Sequence, residues 1–323
     1  MRKTLLLFVV LFIWTLAFSQ GEDSLLIMFW NVENFFDYFN DGQSASDKEF
    51  SSFGNRHWSK RKFFTKCNGI AKTVLWVAEE SGRLPDAIGL AEVENSFVLR
   101  KLLQETALRK TDYSYIHYDS PDHRGIDVAL LYRRSSLRLL QSKPLRVRDS
   151  AGELLGTRDV LLADFLVSSG ENLCLFVNHH PSKYGGGDTD WKREAALMVL
   201  NTAVDSLRAE GRDKFVAMGD FNDTPEKPIY SRLSLENLAL PLAMEGKGSI
   251  RYGGKWELID MFFIDKTLAP YCKMEIVKPP FLIEWDNVHA GEKPFRTWQG
   301  PRYKGGVSDH LPILLRLNLN VSQ

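Results

Sequence analysis

Two short segments carry side chains whose types and spacing could do chemistry. GDFNDTP, from Gly219 to Pro225, sets Asp220 and Asn222 two residues apart behind an apolar run. In extended chain the two share a face. The carboxylate could orient or deprotonate an attacking water, and the amide could donate to an oxygen that gains charge. The same residues also suit a plain Asx turn before Pro225. SDHLP, from Ser308 to Pro312, places Asp309 and His310 at the entry to another apolar run. Asp309 offers the hard oxygen that a divalent cation prefers, and His310 could act as a base or meet phosphate oxygens. A working histidine needs a carboxylate to fix its tautomer and stabilise its charged form. Asp260, between Ile259 and Met261, is the candidate, because a carboxylate in so apolar a run needs a partner to be buried.

Glu92 ends the apolar run of GLAEVEN, and Asn31 lies in FWNVENFFD; Glu94 and Glu33 are their nearest rivals. These are oxygen donors with no cysteine or histidine triad beside them. The cation implied is Mg²⁺, or Mn²⁺ or Ca²⁺, rather than zinc. VNHHPSKYGGG pairs His179 with His180. His179 follows directly off a strand, where the other strand-end polar residues also lie. His180 precedes Pro181, which favours extended backbone, so its ring is expected to point away, toward the neighbouring loop or solvent.

The elements that must position these residues are legible as apolar runs. Strands are expected at Leu25–Val32, Ala87–Val93, Asp127–Tyr132, Val160–Val167, Leu173–Asn178, Phe215–Gly219, Ile259–Ile264 and Pro312–Leu317. Helical spacing appears over Trp58–Glu80, with Phe63, Cys67, Ile70, Val74 and Val77 on one face. It appears again over Ser96–Leu108, with Leu99, Leu102 and Leu103, and over Asp190–Ala209, with Ala195, Met198, Val199 and Thr202. Strands apolar throughout imply sheets covered on both faces. Six of these strands begin or end in an acid, an amide or a histidine, so one sheet edge should gather them into a single site.

Composition bounds the rest. The 323 residues are 44% hydrophobic and carry 41 basic against 41 acidic side chains. A chain that coats polynucleotide by bulk charge is usually basic, so any nucleic-acid binding must be local. Arg2 and Lys3 precede an apolar run from Leu5 to Phe18, and Ala17-Phe18-Ser19 offers a cleavage site. Residues 1–19 therefore read as a secretory signal peptide, with export to the medium or periplasm. The run is short for a membrane span, and no stable membrane partner is expected. Three cysteines are too few for a disulfide framework.

In this order, the segments WNVENFFD, PDAIGLAEVEN, VNHHPSK, GDFNDTP, LIDMFF and SDHLP resemble the endonuclease/exonuclease/phosphatase superfamily, and their variants look like its secreted bacterial branch. The resemblance runs from Leu25 to Leu317. It implies a four-layer α/β sandwich of two stacked mixed β-sheets flanked by helices, with residues 20–323 read as one catalytic domain; a monomer is the separate expectation. It further implies metal-dependent hydrolysis of phosphate esters. Glu92 would bind the metal with Asn31 and Asp309 in or beside its shell, and Asp220 would align the water. Asn222 would steady phosphoryl oxygens, and His310, oriented by Asp260, would stabilise the transition state or move a proton. His179 would contact the scissile phosphate or protonate the leaving oxygen. Met261 departs from the His, Gln or Arg common after the aspartate in this family.

Substrate contacts are sought among local cations. Arg124 in DHRGIDVALLYR and Lys183 after the histidines could each meet a phosphate, whereas Arg193 reads as surface. Between Lys293 and Val307, Arg302 and Lys304 alternate with Phe295, Trp298 and Tyr303, a composition that suits bases stacked beside phosphates. Arg56 to Lys62 reads as a solvated helix face. The expected partner is a phosphate ester, nucleic acid foremost. The alternative is a small phosphate ester or phospholipid head group, and a non-catalytic binding protein on the same scaffold ranks last.

Overall fold

A computed structural model describes residues 24–40, 46–183 and 189–319. The expected signal peptide and the glycines after Lys183 lie outside the described residues.

Strand β1 (Ser24–Phe35) shows why the apolar runs are continuous. Leu25, Ile27 and Phe29 enter a core shared with the opposite sheet, while Leu26, Met28 and Trp30 enter a second core under helices. Side chains that alternate between two dry faces leave no room for a polar repeat. After a short α1 (Asp47–Phe50), α2 (Lys60–Ser81) starts at Ser59, whose hydroxyl accepts from Lys62 N–H. It buries the expected stripe of Phe63, Cys67, Ile70, Val74 and Val77. β2 (Ala87–Val93) runs parallel to β1, and α3 (Ser96–Glu105) follows, capped by Asn95. β3 (Tyr113–His117) and β4 (Asp127–Arg133) complete one edge of this sheet.

The second sheet begins with β5 (Leu137–Leu145), β6 (Val160–Val167) and β7 (Asn172–His179). Helix α4 (Asp190–Ala209) leads into β8 (Phe215–Asp220), parallel to β7. Short pieces follow: β9 (Glu236–Asn237), α5 (Leu240–Met244), and a hairpin of β10 (Ile250–Tyr252) and β11 (Lys255–Glu257). β12 (Asp260–Ile264) returns antiparallel to β8. β13 (Cys272–Ile276), the hairpins β14 (Ile283–Trp285) with β15 (Glu292–Pro294) and β16 (Trp298–Gln299) with β17 (Arg302–Tyr303), and β18 (Ile313–Asn318) close the chain.

Two six-stranded mixed sheets result, ordered β13-β18-β1-β2-β4-β3 and β5-β6-β7-β8-β12-β9. They stack through one core. The helices α2 and α3 cover the first sheet and α4 the second, giving the four layers expected. The strand directions gather the site. Parallel β1, β2, β7 and β8 all finish at one edge, and antiparallel β12 and β18 start there.

Two expectations about helix faces are corrected. Helix α4 buries Arg193, Ala196, Leu197, Leu200, Val204 and Leu207, while Met198 is exposed and Ala195, Val199 and Thr202 line an outer groove. Two apolar stripes compete on this helix, and the one richer in large aliphatic side chains covers the sheet. Arg56 and Lys62 are not merely solvated: they lie over the Trp298 ring at 4.9 and 5.1 Å.

Candidate active site

The ends of β7 and β8 are locked by a close approach. A Cβ on Gly219 would sit 2.5 Å from the Asn178 carbonyl oxygen, so only glycine lets the parallel strands meet one residue before Asp220. Asp220 then pairs in register with both His179 and Asp260. Just past the strands the backbone turns through positive φ at Asn222 (52°), and it does so within a strand end at Glu92 (63°) and Glu33 (48°). Non-glycine residues adopt this region at a cost, and such strain gathers where side chains must be aimed.

Asp220, Asp260 and His310 bring their ligand atoms within 4.8 Å of one another, all three buried. His310 Nδ1 lies 2.8 Å from Asp260 Oδ2, and its Nε2 faces Asp220 Oδ2 at 3.8 Å. Ser249 Oγ donates to the same Asp260 oxygen. His179 Nε2 approaches Asp220 Oδ2 from the other side at 3.7 Å. Asn31 Nδ2 donates to that oxygen at 3.0 Å, and the Asn222 backbone N–H donates to Oδ1 at 2.9 Å. Asp220 is thus held by two amides and flanked by two imidazoles. Asp260 Oδ1 and His179 Nδ1 are buried with no hydrogen-bond partner.

The electrostatics separate the two rings. Burial alone would push His310 down, but the carboxylates of Asp260, Asp220 and Asp309 outweigh it and hold the imidazole well above its ordinary range. Burial, reinforced by Arg158 and Arg124, holds His179 well below it. Burial lifts Asp220 above the usual carboxylate range, with Asp260 adding and His310 opposing.

The oxygen donors lie beside this cluster. Glu92 Oε2 accepts from Asn34 N–H at 2.7 Å and faces Arg124 at 3.8 Å. Asp309 accepts from Arg296 at 2.8 Å, and Asn31 Oδ1 accepts from Glu33 N–H. The rival Glu94 is spent on Asp37 N–H, and Glu33 on Thr297 and Trp298 N–H. Both Arg296 and buried Lys66 feel three carboxylates, Glu33, Glu92 and Asp309. Glu92 and Asp309, with the neutral side-chain oxygen of Asn31, are hard oxygen donors of the kind that fits a divalent cation.

Other expected residues fall elsewhere. Asn222 Nδ2 donates to His180 O at 3.0 Å, bracing the two strand ends. Arg124 reaches Asn34 and stands beside Glu92 as a half-exposed cation. Lys183 pairs with Asp223 at 3.3 Å. Lys304 pairs with Glu284 at 2.9 Å and Arg302 is exposed on β17; no hydrogen bond or ion pair joins either to the cluster among the described residues. His180 does not reach solvent: its ring is buried edge-on against Phe221, which pushes it down to about 3. Arg193 is buried too, its guanidinium donating to the Pro181 and Ser182 carbonyls. Met261 points into the core, away from the site, as strand alternation after Asp260 requires.

Arg158, Ser249 and Lys66 escaped the reading of the sequence, whereas Arg296 belongs to the basic Lys293–Val307 stretch expected beside Asp309. Arg158 donates to the His179 and His180 carbonyls and pairs with Asp122. Lys66 Nζ donates to Thr297 Oγ1 and Val307 O, each at 2.7 Å. Its only signal was a charge on the apolar face of a helix.

The sequence matches the Endonuclease/Exonuclease/phosphatase family over residues 26–319, and the chain belongs to that family. Comparison with curated proteins finds no match. Solved structures with the same fold include the catalytic domain of human nocturnin with bound sulfate, at 16% identity and a TM-score of 0.56, covering 91% of this chain and 94% of that one. TDP2 from D. rerio, complexed with a single-strand DNA product, gives 17% and 0.55 over 91% and 99%. A mannosyl-6-phosphatase from Bacteroides thetaiotaomicron gives 14% and 0.58 over 91% and 99%. At such identities the likeness is one of fold.

Proposed function

We propose that the chain is a divalent-metal-dependent phosphodiesterase that cleaves nucleic acid after export from the cytoplasm. The single observation that carries the hydrolytic reading is Asp220, buried between His179 and His310 and fixed by Asn31 and Asn222. In this reading the Asp220 carboxylate orients the attacking water and takes its proton. His310, backed by Asp260, turns an N–H toward the phosphoryl oxygens, and His179 meets the phosphate from the opposite side. Asn31, Glu92 and Asp309 would hold the cation, which when bound supplies charge neutralisation at the phosphoryl group. Phosphoryl transfer asks mainly for such positioning and electrostatics.

The diester preference is supported by two partly exposed cations, Arg124 beside Glu92 and Arg296 on Asp309, which suit the phosphates of a strand. Export rests on the leader-like residues 1–19. A panel of single-stranded DNA, duplex DNA, RNA, inositol phosphates and sphingomyelin under one Mg²⁺ or Mn²⁺ condition tests the substrate. Cleavage of a polynucleotide is expected. Turnover confined to the small esters or the lipid would replace this reading with the phosphatase or head-group alternative.

A further inference from the structure

Two of the three aromatics expected to stack on bases, Trp298 and Tyr303, are already used. Trp298 is buried against Trp58, and Tyr303 packs on both rings. A different aromatic stands beside the site. Tyr252, at the end of β10, is 76% exposed, and Val288 on the facing loop is 77% exposed. Between these segments runs a cleft of about 180 Å³ whose walls include Tyr252, His289, Lys293, Arg296 and Asp309.

The cleft is built rigidly. Arg251 reaches across from the hairpin and donates to the backbone carbonyls of Gly254, His289, Ala290 and Glu292, with Asp286 at 3.8 Å. Gly254, at φ 83°, lets the hairpin close on the loop, since a Cβ there would sit 2.8 Å from that of His289. The hairpin base bridges the reaction centre itself, Ile250 pairing with His310. His289 Nδ1 is turned to Asp286 at 3.2 Å, which leaves Nε2 of this half-exposed ring for an outside partner.

Taking the nucleic-acid reading as its premise, we propose that this cleft is a base subsite, with Tyr252 as the stacking platform. The base next to the scissile phosphate lies on the Tyr252 ring, its edge meets His289, and Arg296 carries the adjoining phosphate. Such stacking tolerates any base, because every base presents a π-face.

The test uses anisotropy of a labelled oligothymidylate and of an abasic oligomer of equal length, with EDTA present so that nothing is cut. Wild type should bind the base-bearing strand about tenfold more tightly. Tyr252→Ala should bring that ratio close to one, and Tyr252→Trp should keep it. An unchanged ratio in Tyr252→Ala overturns the subsite. So does Tyr252-dependent binding to phosphatidylcholine–sphingomyelin vesicles without base preference, which would make the hairpin a lipid contact. Base-dependent binding without cleavage under any metal would contradict the nuclease reading while the subsite stands; cleavage with equal binding of both strands would do the reverse.

Discussion

His310 is gripped at Nδ1 by Asp260, 2.8 Å away, while its Nε2 looks across 3.8 Å at Asp220. One carboxylate orients the ring and a second shares its working face. Ser249 donates to Asp260, and the strand register sets Asp260 directly beside Asp220.

Asp260→Asn preserves shape but removes the charge behind His310. Turnover should fall by about 10²–10⁴-fold, the range of a positioned proton-handling group, and the thermal midpoint should fall as well, because His310 loses its buried ion-pair partner. Steady-state kinetics beside a melting curve would check both halves.

The histidine pair should separate by assay. His179→Ala should lower turnover by orders of magnitude, since its Nε2 faces Asp220. His180→Ala vacates space against Phe221 and should cost about 1–3 kcal/mol of stability, while most turnover survives below the melting transition. Denaturant titration paired with initial rates distinguishes them.

Lys66 is buried, and Thr297 links it to Glu33: Lys66 Nζ donates to the threonine hydroxyl, and Thr297 N–H donates to the carboxylate. Burial, opposed by Glu33 and Asp309, pushes the ammonium below its ordinary range. Lys66→Met takes one counter-charge from Glu33, which keeps Arg296 at 3.6 Å, and removes the bonds to Thr297 Oγ1 and Val307 O, so about 1–3 kcal/mol of stability should be lost. Glu33→Gln combined with Lys66→Met should recover part of the loss, read from urea unfolding.

Asp159 gives a pH signature away from the reaction centre. Burial raises it from 3.8 to about 6, with Arg146 opposing and Asp127 adding. Because the folded value exceeds the unfolded one, ionisation disfavours the fold. The penalty is absent below about pH 4 and complete above about pH 6. The stability of Asp159→Asn relative to wild type should therefore be greater at pH 8 than at pH 4 in matched denaturant titrations.

The strand-end chemistry was legible because strands leave their polar residues at the ends. Asn31, Glu92, His179, Asp220, Asp260 and His310 could be placed along the chain before any fold was known. Helix α4 was not legible in the same way, since its sequence holds two apolar stripes and only the sheet decides between them. His180 and Arg193 read as exposed from local pattern, yet both are buried by contacts made through tertiary structure, on Phe221 and on the Pro181 and Ser182 carbonyls. The Lys293–Val307 segment looked like a binding strip. Its Trp298 and Tyr303 instead meet Arg56 and Lys62, a pairing across some 240 residues that no local window contains.

The most direct measurement is hydrolysis of bis-p-nitrophenyl phosphate by purified protein with Mg²⁺ or Mn²⁺, beside EDTA-treated protein and Asp220→Ala. The account predicts turnover that EDTA abolishes and re-added metal restores, and that is lost in the variant while its fold persists. Turnover indifferent to EDTA, or intact in Asp220→Ala, would contradict it.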